Sequence, residues 1–111
     1  MKKLTFVFAA VLLFLSTAVF AEEHAYAAME HASSAIAQGK LGKAPALVEH
    51  AGVALEHAKQ AAEVAKGLSK THIEAGVKSL EEAISRGKTG DAVSATKAAE
   101  EALAHIQAGN K

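Results

Sequence analysis

Apolar residues recur along this chain at intervals of three and four, the spacing that places them on one face of an α-helix. Four such stretches occur, and glycines separate them. They predict helices over about Glu23–Gln38, from Ala44 to around Gly67, from Thr71 to Gly87, and from Asp91 onward. Because short connections make consecutive helices antiparallel, we expect an all-α fold, an up-down-up-down four-helix bundle built from two tandem helical hairpins. The alternative is two hairpins that associate only on dimerisation; the expected state is a monomer or a weak homodimer.

Residues near the predicted helix ends support these limits. Pro45 suits the first turn of the second helix, and Asp91 is a suitable N-cap for the fourth. Thr71 and Glu74 have the spacing of a capping box at the start of the third helix. The residues expected to face the core are Ala25, Met29, Ala32 and Ile36, then Leu47, Ala51, Ala54, Ala58, Ala61 and Ala65, then Ile73, Val77, Leu80 and Ile84, and finally Ala95, Ala99, Ala102, Leu103 and Ile106.

The chain also resembles itself. When residues 24–57 are aligned without gaps on residues 72–105, a shift of 48, 12 of the 34 positions are identical. This identity predicts a tandem duplication of one helical hairpin, with the first copy over 22–66 and the second over 70–109.

Residues 1–21 have the composition of a secretory signal peptide. Lys2 and Lys3 precede a nearly continuous apolar run from Leu4 to Leu15, and Val19-Phe20-Ala21 provides a cleavage sequence. A retained membrane anchor is the alternative, but the apolar run is shorter than the roughly 20 residues that a membrane span needs. We therefore expect export, no membrane attachment after cleavage, and a bundle formed by residues 22–111.

Residues 22–111 contain ten basic and twelve acidic side chains, a formal charge of −2. Because they form no basic face, the chain is not expected to bind nucleic acid. The sequence has no cysteine, which excludes disulfides, thiolate ligands and a lipid-modified cysteine. Alanine dominates the expected core, so apolar burial is modest and a bound metal would contribute to stability.

All six histidines occupy the same place relative to the expected core. Each immediately precedes a core residue, which puts it on the flank of its helix, roughly 80–110° from the centre of the apolar stripe. The six are His24, His31, His50, His57, His72 and His105. The other six flank positions of this repeating arrangement hold Gln38, Lys43, Ser79, Arg86, Asp91 and Ala98.

The histidines of the first hairpin are paired about its turn. His24 and His57 are equidistant from the Lys40–Leu41 junction, and so are His31 and His50. Antiparallel packing therefore places each pair at one level along the hairpin. Two residues seven apart on the same helix are separated by about 10.5 Å of rise and cannot share an ion, so the pairs must form across the hairpin.

His72 and His105 predict a third pair in the second hairpin. Its inner pair is missing, because Ser79 and Ala98 stand at the equivalent positions. Glu101, four residues before His105, is the carboxylate best placed to join a histidine pair.

Imidazole is a common ligand for copper, zinc and nickel. Each histidine pair would supply two nitrogens, and water or a carboxylate would complete the coordination shell. Such sites are partly open, so we expect exchangeable binding of moderate affinity rather than a closed structural site. A protonated imidazole cannot bind a metal, so binding should weaken in acid.

A different site depends on where the signal peptide is cut. Cleavage after Ala21 would leave histidine as the third residue, in the sequence Glu22-Glu23-His24. The amine, two deprotonated amides and the imidazole then provide four in-plane nitrogens, a geometry that selects Cu(II) or Ni(II). This site would compete with the first pair for His24.

Other interpretations of the histidines are ordinary boundary residues, a pH-responsive helix seam, or a partner surface on an exported structural module. Met29 is expected in the core rather than as a thioether ligand. Gly87-Lys88-Thr89 resembles the end of a phosphate-binding loop, but Glu82 stands where that loop has its first glycine. Because catalytic motifs are lacking, the sequence predicts a binding protein and not an enzyme.

Several segments resemble the small metal-binding protein family of the bacterial periplasm: the repeated His-Ala pairs, the Gly-Lys-x-Gly turns, LVEHAGVALEHAK and THIEAGVKSLEEAISRGK. The resemblance covers essentially residues 22–109. It implies a periplasmic helical bundle that binds divalent metal ions, Cu(II) foremost and also Ni(II) or Zn(II), for buffering, scavenging or detoxification. It also implies that the six histidines are the ligands. Delivery of copper to an enzyme is an alternative role for the same chemistry.

Overall fold

A computed structural model describes the backbone of residues 2–110 and the side chains of residues 21–110. Its helices are α1 (Lys2–Lys40), α2 (Ala44–Val64), α3 (Gly67–Lys88) and α4 (Ala92–Gly109). Helix α1 packs on α2 and α4, and α3 packs on the same two helices. Each helix therefore lies beside its neighbours in the chain, and α4 closes the ring against α1. The described residues contain no strand, and the predicted all-α four-helix bundle is confirmed.

Helix α1 begins at Lys2, much earlier than the predicted start at Glu23. The residues between these positions include no glycine or proline, so nothing in the sequence ends the helix there. The signal-peptide prediction concerns residues 1–21; the side chains of residues 1–20 lie outside the described part, and it stays a prediction. Within the described residues, no helix has a stretch long and apolar enough to cross a membrane.

Two turns of the same design connect α1 to α2 and α3 to α4. Gly42 and Gly90 adopt φ values of 76° and 84°, a conformation that favours glycine. Each turn is closed by a backbone hydrogen bond across the glycine, from Lys43 N–H to the Gln38 carbonyl at 3.0 Å and from Asp91 N–H to the Arg86 carbonyl at 3.1 Å. These are the bonds of a Schellman motif, and they satisfy carbonyls that the helix end leaves without a partner.

Two of the predicted helix starts are confirmed. Pro45 lies in the first turn of α2. The Asp91 carboxylate caps α4 by accepting a hydrogen bond from Ser94 N–H at 3.1 Å. The hydrogen bonds from Ser94 hold the pKa of Asp91 below its ordinary value of 3.8, because they stabilise the ionised carboxylate.

The capping box predicted at Thr71 is wrong. Helix α3 begins one turn earlier, at Gly67, after Ala65 and Lys66 have taken extended conformations. Gly67 has a φ of 62°, and this conformation turns the chain into the new helix. The Thr71 hydroxyl therefore lies inside α3, where it donates to the Gly67 carbonyl at 3.3 Å. Helix α2 correspondingly ends at Val64 rather than near Gly67.

The core consists mainly of alanine, and its largest fully buried side chains are Leu47, Ile73, Leu80 and Ile106. Most residues predicted to face the core are buried; those only partly buried are Met29, Ala65, Val77, Ile84 and Leu103. The pattern missed other buried side chains, namely Ala28, Ala35, Ala44, Ser79, Ala83, Thr96 and Ala98. Each helix packs against two neighbours, so its buried face is wider than one stripe.

Candidate metal centre

Four of the six histidines meet where α1 and α2 pack together. His24 and His31 lie on α1, His50 and His57 lie on α2, and all four are half-buried. Each is followed by a fully or almost fully buried alanine, namely Ala25, Ala32, Ala51 or Ala58. Because consecutive helical residues differ by about 100° in direction, burial of these alanines leaves the histidines at the edge of the core. The predicted flank position is confirmed for these four residues.

The outer pair consists of His24 and His57. Their Nδ1 atoms are 2.9 Å apart, and their ring centroids are 5.1 Å apart with the ring planes tilted by 31°. A hydrogen bond between two neutral imidazoles requires that one Nδ1 carries a proton and the other accepts it. Two adjacent nitrogens bound to one ion at about 2 Å are themselves roughly 2.8–3.4 Å apart. The distance between these two nitrogens therefore suits a shared metal ion as well as a shared proton.

The inner pair consists of His31 and His50. Their ring centroids are 6.1 Å apart, and the planes are within 24° of parallel. The Nδ1 atom of His31 is buried and has no hydrogen-bond partner among the described residues. A buried nitrogen without a partner costs about 1–3 kcal/mol, and a bound ion would remove that cost. The donor atom of His31 is thus available for a ligand.

A diagonal contact joins the two pairs. The rings of His31 and His57 have centroids 6.0 Å apart and planes within 7° of parallel, so His31 is as close to His57 as it is to His50. Side chains of an α-helix lean towards its N-terminus. In antiparallel helices this tilt moves His31 away from the α1–α2 turn and His57 towards it, so the two rings approach each other. The symmetry of the histidines about the turn compares only their levels and does not predict this contact.

The four rings therefore form one connected group, which we call the histidine array. Its order of contact is His24, His57, His31 and His50.

The second hairpin does not repeat this arrangement. His72 on α3 and His105 on α4 are both half-buried, but no ring contact or hydrogen bond joins them within the described residues. Ser79 and Ala98, which stand in place of the inner pair, are 9% and 4% exposed and belong to the packed interior. The structure thus brings together four of the six predicted ligands, and the third pair stays a prediction.

No three His, Asp or Glu side chains within residues 21–110 converge on a point that could hold a metal ion. Glu101 is exposed and forms no such group with His105. Any ion bound by a histidine pair would therefore have two protein nitrogens and would keep positions open for water.

Glutamates form a further pattern, which the spacing of the histidines did not predict. Every histidine of the array directly follows a glutamate, and these four glutamates, Glu23, Glu30, Glu49 and Glu56, are all exposed. In the second hairpin the equivalent positions hold Thr71, Lys78, Lys97 and Ala104. The four Glu-His dipeptides were the signal in the sequence that could have identified them. They place negative charge beside the array, and the second hairpin has two positive charges at the corresponding positions.

No curated protein matches the chain at a significant level. The family described as small metal-binding protein matches residues 1–109, which is nearly the whole chain. This chain belongs to the small metal-binding protein family.

Proposed function

We propose that this protein binds copper in the periplasm and sequesters or buffers it through histidine pairs across α1 and α2. Membership of the family supports metal binding. The observation that carries the finer proposal is the 2.9 Å separation between the Nδ1 atoms of His24 and His57. A pair of donors already at the spacing of two adjacent ligands needs little rearrangement to bind, which favours affinity.

Copper is the proposed metal because the donors available in the array are imidazole nitrogens. For nitrogen ligands, Cu(II) binds more tightly than Ni(II) or Zn(II). Structural zinc sites use four protein ligands and catalytic zinc sites use three, whereas the described residues offer no group of three. We therefore expect Ni(II) and Zn(II) to bind more weakly than Cu(II).

The proposed role is storage or buffering rather than catalysis. A two-histidine site leaves most of the coordination shell to water, so the ion exchanges readily with other ligands. The cargo is the metal itself, and the family supports a binding protein without a reaction. The predicted signal peptide over residues 1–21 supports export, and the family resemblance supports the periplasm as the destination.

Titration of tag-free protein with Cu(II), followed by native mass spectrometry, tests the proposal. His57→Ala should bind at least one fewer copper ion than the wild type, because it removes a ligand of the outer pair. Gln60→Ala is the matched control, because Gln60 is also on α2 and is exposed. Unchanged copper uptake in a folded His57→Ala variant would contradict the proposal. Parallel titrations with Ni(II) and Zn(II) test the metal preference.

The proposed amino-terminal chelate at His24 uses the same atom as the outer pair. An amino-terminal chelate closes through the ring nitrogen nearest the backbone, which is Nδ1, and this atom faces His57 in the structure. Residues 22–24 are also helical, so the chelate requires that this turn unwinds. Acetylation of the mature amino terminus separates the two modes, because it removes the amine and leaves the histidine pair intact.

A further inference from the structure

We infer that the array contains a third metal site, formed by the diagonal pair His31 and His57. The other two sites are the outer and inner pairs, which we call the level pairs because each joins residues at one level of the hairpin. This inference rests on the proposed function, since it concerns the same histidines and the same cargo. It changes the expected behaviour of the array, because both residues also belong to the level pairs.

The ring separations of all three pairs fall within the range for a shared ion. Two imidazoles bound to one ion through bonds of about 2 Å have ring centroids roughly 4.5–6.5 Å apart, depending on the angle at the metal. The outer, inner and diagonal pairs have centroids 5.1, 6.1 and 6.0 Å apart. The diagonal separation lies near the upper end of the range, where the two ligands are on opposite sides of the ion. The rings of His31 and His57 are stacked, with planes 7° apart, so at least one ring must turn before both in-plane lone pairs point at one ion.

Burial adds an independent argument. The His31 Nδ1 atom is buried without a partner, and the ring of His31 contacts both His57 and His50. The ring that carries this nitrogen therefore has two possible co-ligands beside it. Rotation about the terminal side-chain torsion of His31, which is broad for histidine, would direct the nitrogen towards either one.

Shared ligands make the three sites mutually dependent. An ion held by His31 and His57 uses one member of each level pair, so the array holds either one diagonal ion or two level ions. An ion can also pass from the outer pair to the inner pair by exchanging one histidine at a time. Such stepwise exchange keeps at least one protein ligand on the ion throughout the transfer.

Double variants distinguish the diagonal site from two independent level pairs. Each double variant is made in a parent protein that already carries His72→Ala and His105→Ala. Any copper bound by histidine must then lie in the array. His24→Ala/His50→Ala breaks both level pairs and leaves His31 with His57. His24→Ala/His31→Ala also breaks both level pairs but leaves two histidines seven apart on α2, which cannot share an ion. Neither variant has His24, so the amino-terminal chelate contributes to neither measurement.

Each protein is titrated with Cu(II) and measured by native mass spectrometry, with circular dichroism to establish helix content. We expect His24→Ala/His50→Ala to retain one copper ion and His24→Ala/His31→Ala to lose it. Loss of copper from both double variants, with binding retained by a parent whose amino terminus is acetylated, would overturn the diagonal site and leave the proposed function intact. Equal retention by both would overturn it too, because binding would not depend on the diagonal contact. Failure of the parent and the wild type to bind copper would overturn both proposals.

Discussion

Gly39 of α1 lies directly against Thr96 of α4. A β-carbon added at Gly39 would overlap the Thr96 hydroxyl and would lie 2.7 Å from a methyl carbon of Leu47. Thr96 is buried, and its hydroxyl donates to the Ala92 carbonyl at 2.6 Å, so it cannot move away without losing that bond. This close approach fixes the spacing between α1 and α4 near the turns, and hence the way in which the two hairpins meet.

Gly39→Ala should therefore destabilise the protein. Overpacking of this kind costs about 1–3 kcal/mol, which exceeds the gain of roughly 0.5–1 kcal/mol from replacing a helical glycine with alanine. Gly52→Ala is the matched control, because Gly52 is also helical and an added β-carbon would meet nothing within 4 Å. It should stabilise the protein. Urea unfolding followed by circular dichroism measures both; equal effects would show that the Thr96 contact does not limit the packing.

Ile106 is one of the few large side chains in an alanine core, and its truncation should have a large effect. It is fully buried on α4 and lies against Gly76 of α3. Ile106→Ala should lower the free energy of unfolding by about 2–5 kcal/mol, because the side chains around it are too small to fill the cavity. Val93→Ala, at a residue that is 82% exposed on the same helix, should change stability by less than about 0.5 kcal/mol. Similar thermal midpoints for both variants would contradict this account of the core.

The N-cap at Asp91 predicts a pH dependence. The pKa of Asp91 is lowered in the folded protein by its hydrogen bonds from Ser94. Its contribution to stability should be complete above its unfolded pKa, near the ordinary value of 3.8, and should disappear as the pH falls through the lower folded pKa. Asp91→Ala should therefore lower the melting temperature at neutral pH, and its difference from the wild type should shrink in acid. Asp91→Asn keeps a capping oxygen without an ionisable group. A constant difference between wild type and Asp91→Ala down to the most acidic conditions would contradict the assignment.

The sequence predicted the helices well because it contains strong periodicity and clear turn residues. Gly42 and Asp91 act as their types predict, one in a left-handed turn and one as a cap. Thr71 misled the prediction because the Thr-x-x-Glu spacing also occurs inside helices. The real start of α3 depends on the extended conformation of Lys66 and the positive φ of Gly67. No pattern of side chains in the sequence predicts these two backbone conformations.

The sequence alone predicted which histidines of the first hairpin lie close together. The symmetry of His24 with His57, and of His31 with His50, about the first turn correctly anticipated their proximity. The His31–His57 contact was not anticipated, because it depends on the direction in which each side chain leans rather than on its height. His72 and His105 have the same symmetry but no ring contact within the described part of the chain, so symmetry alone does not ensure that two rings meet.

If the array binds copper as proposed, the glutamates beside it predict that the rate of binding depends on salt. Glu30 and Glu49 are exposed and directly precede His31 and His50, so their charges should attract an approaching cation towards the array. A Glu30→Gln/Glu49→Gln variant should bind Cu(II) several-fold more slowly at low ionic strength in stopped-flow measurements. The difference should fade at about 1 M salt, where the screening length is only about 3 Å.

Glu74→Gln/Glu81→Gln is the matched control for this measurement. It removes the same number of exposed negative charges, but from α3, outside the helices that carry the array. If only net charge matters, both variants should slow copper binding equally. A slower rate confined to the Glu30 and Glu49 variant would show that the position of the charge beside the histidines, rather than the total charge, controls how a cation reaches them. Equal slowing would contradict the prediction, although the histidine pairs themselves could still be the ligands.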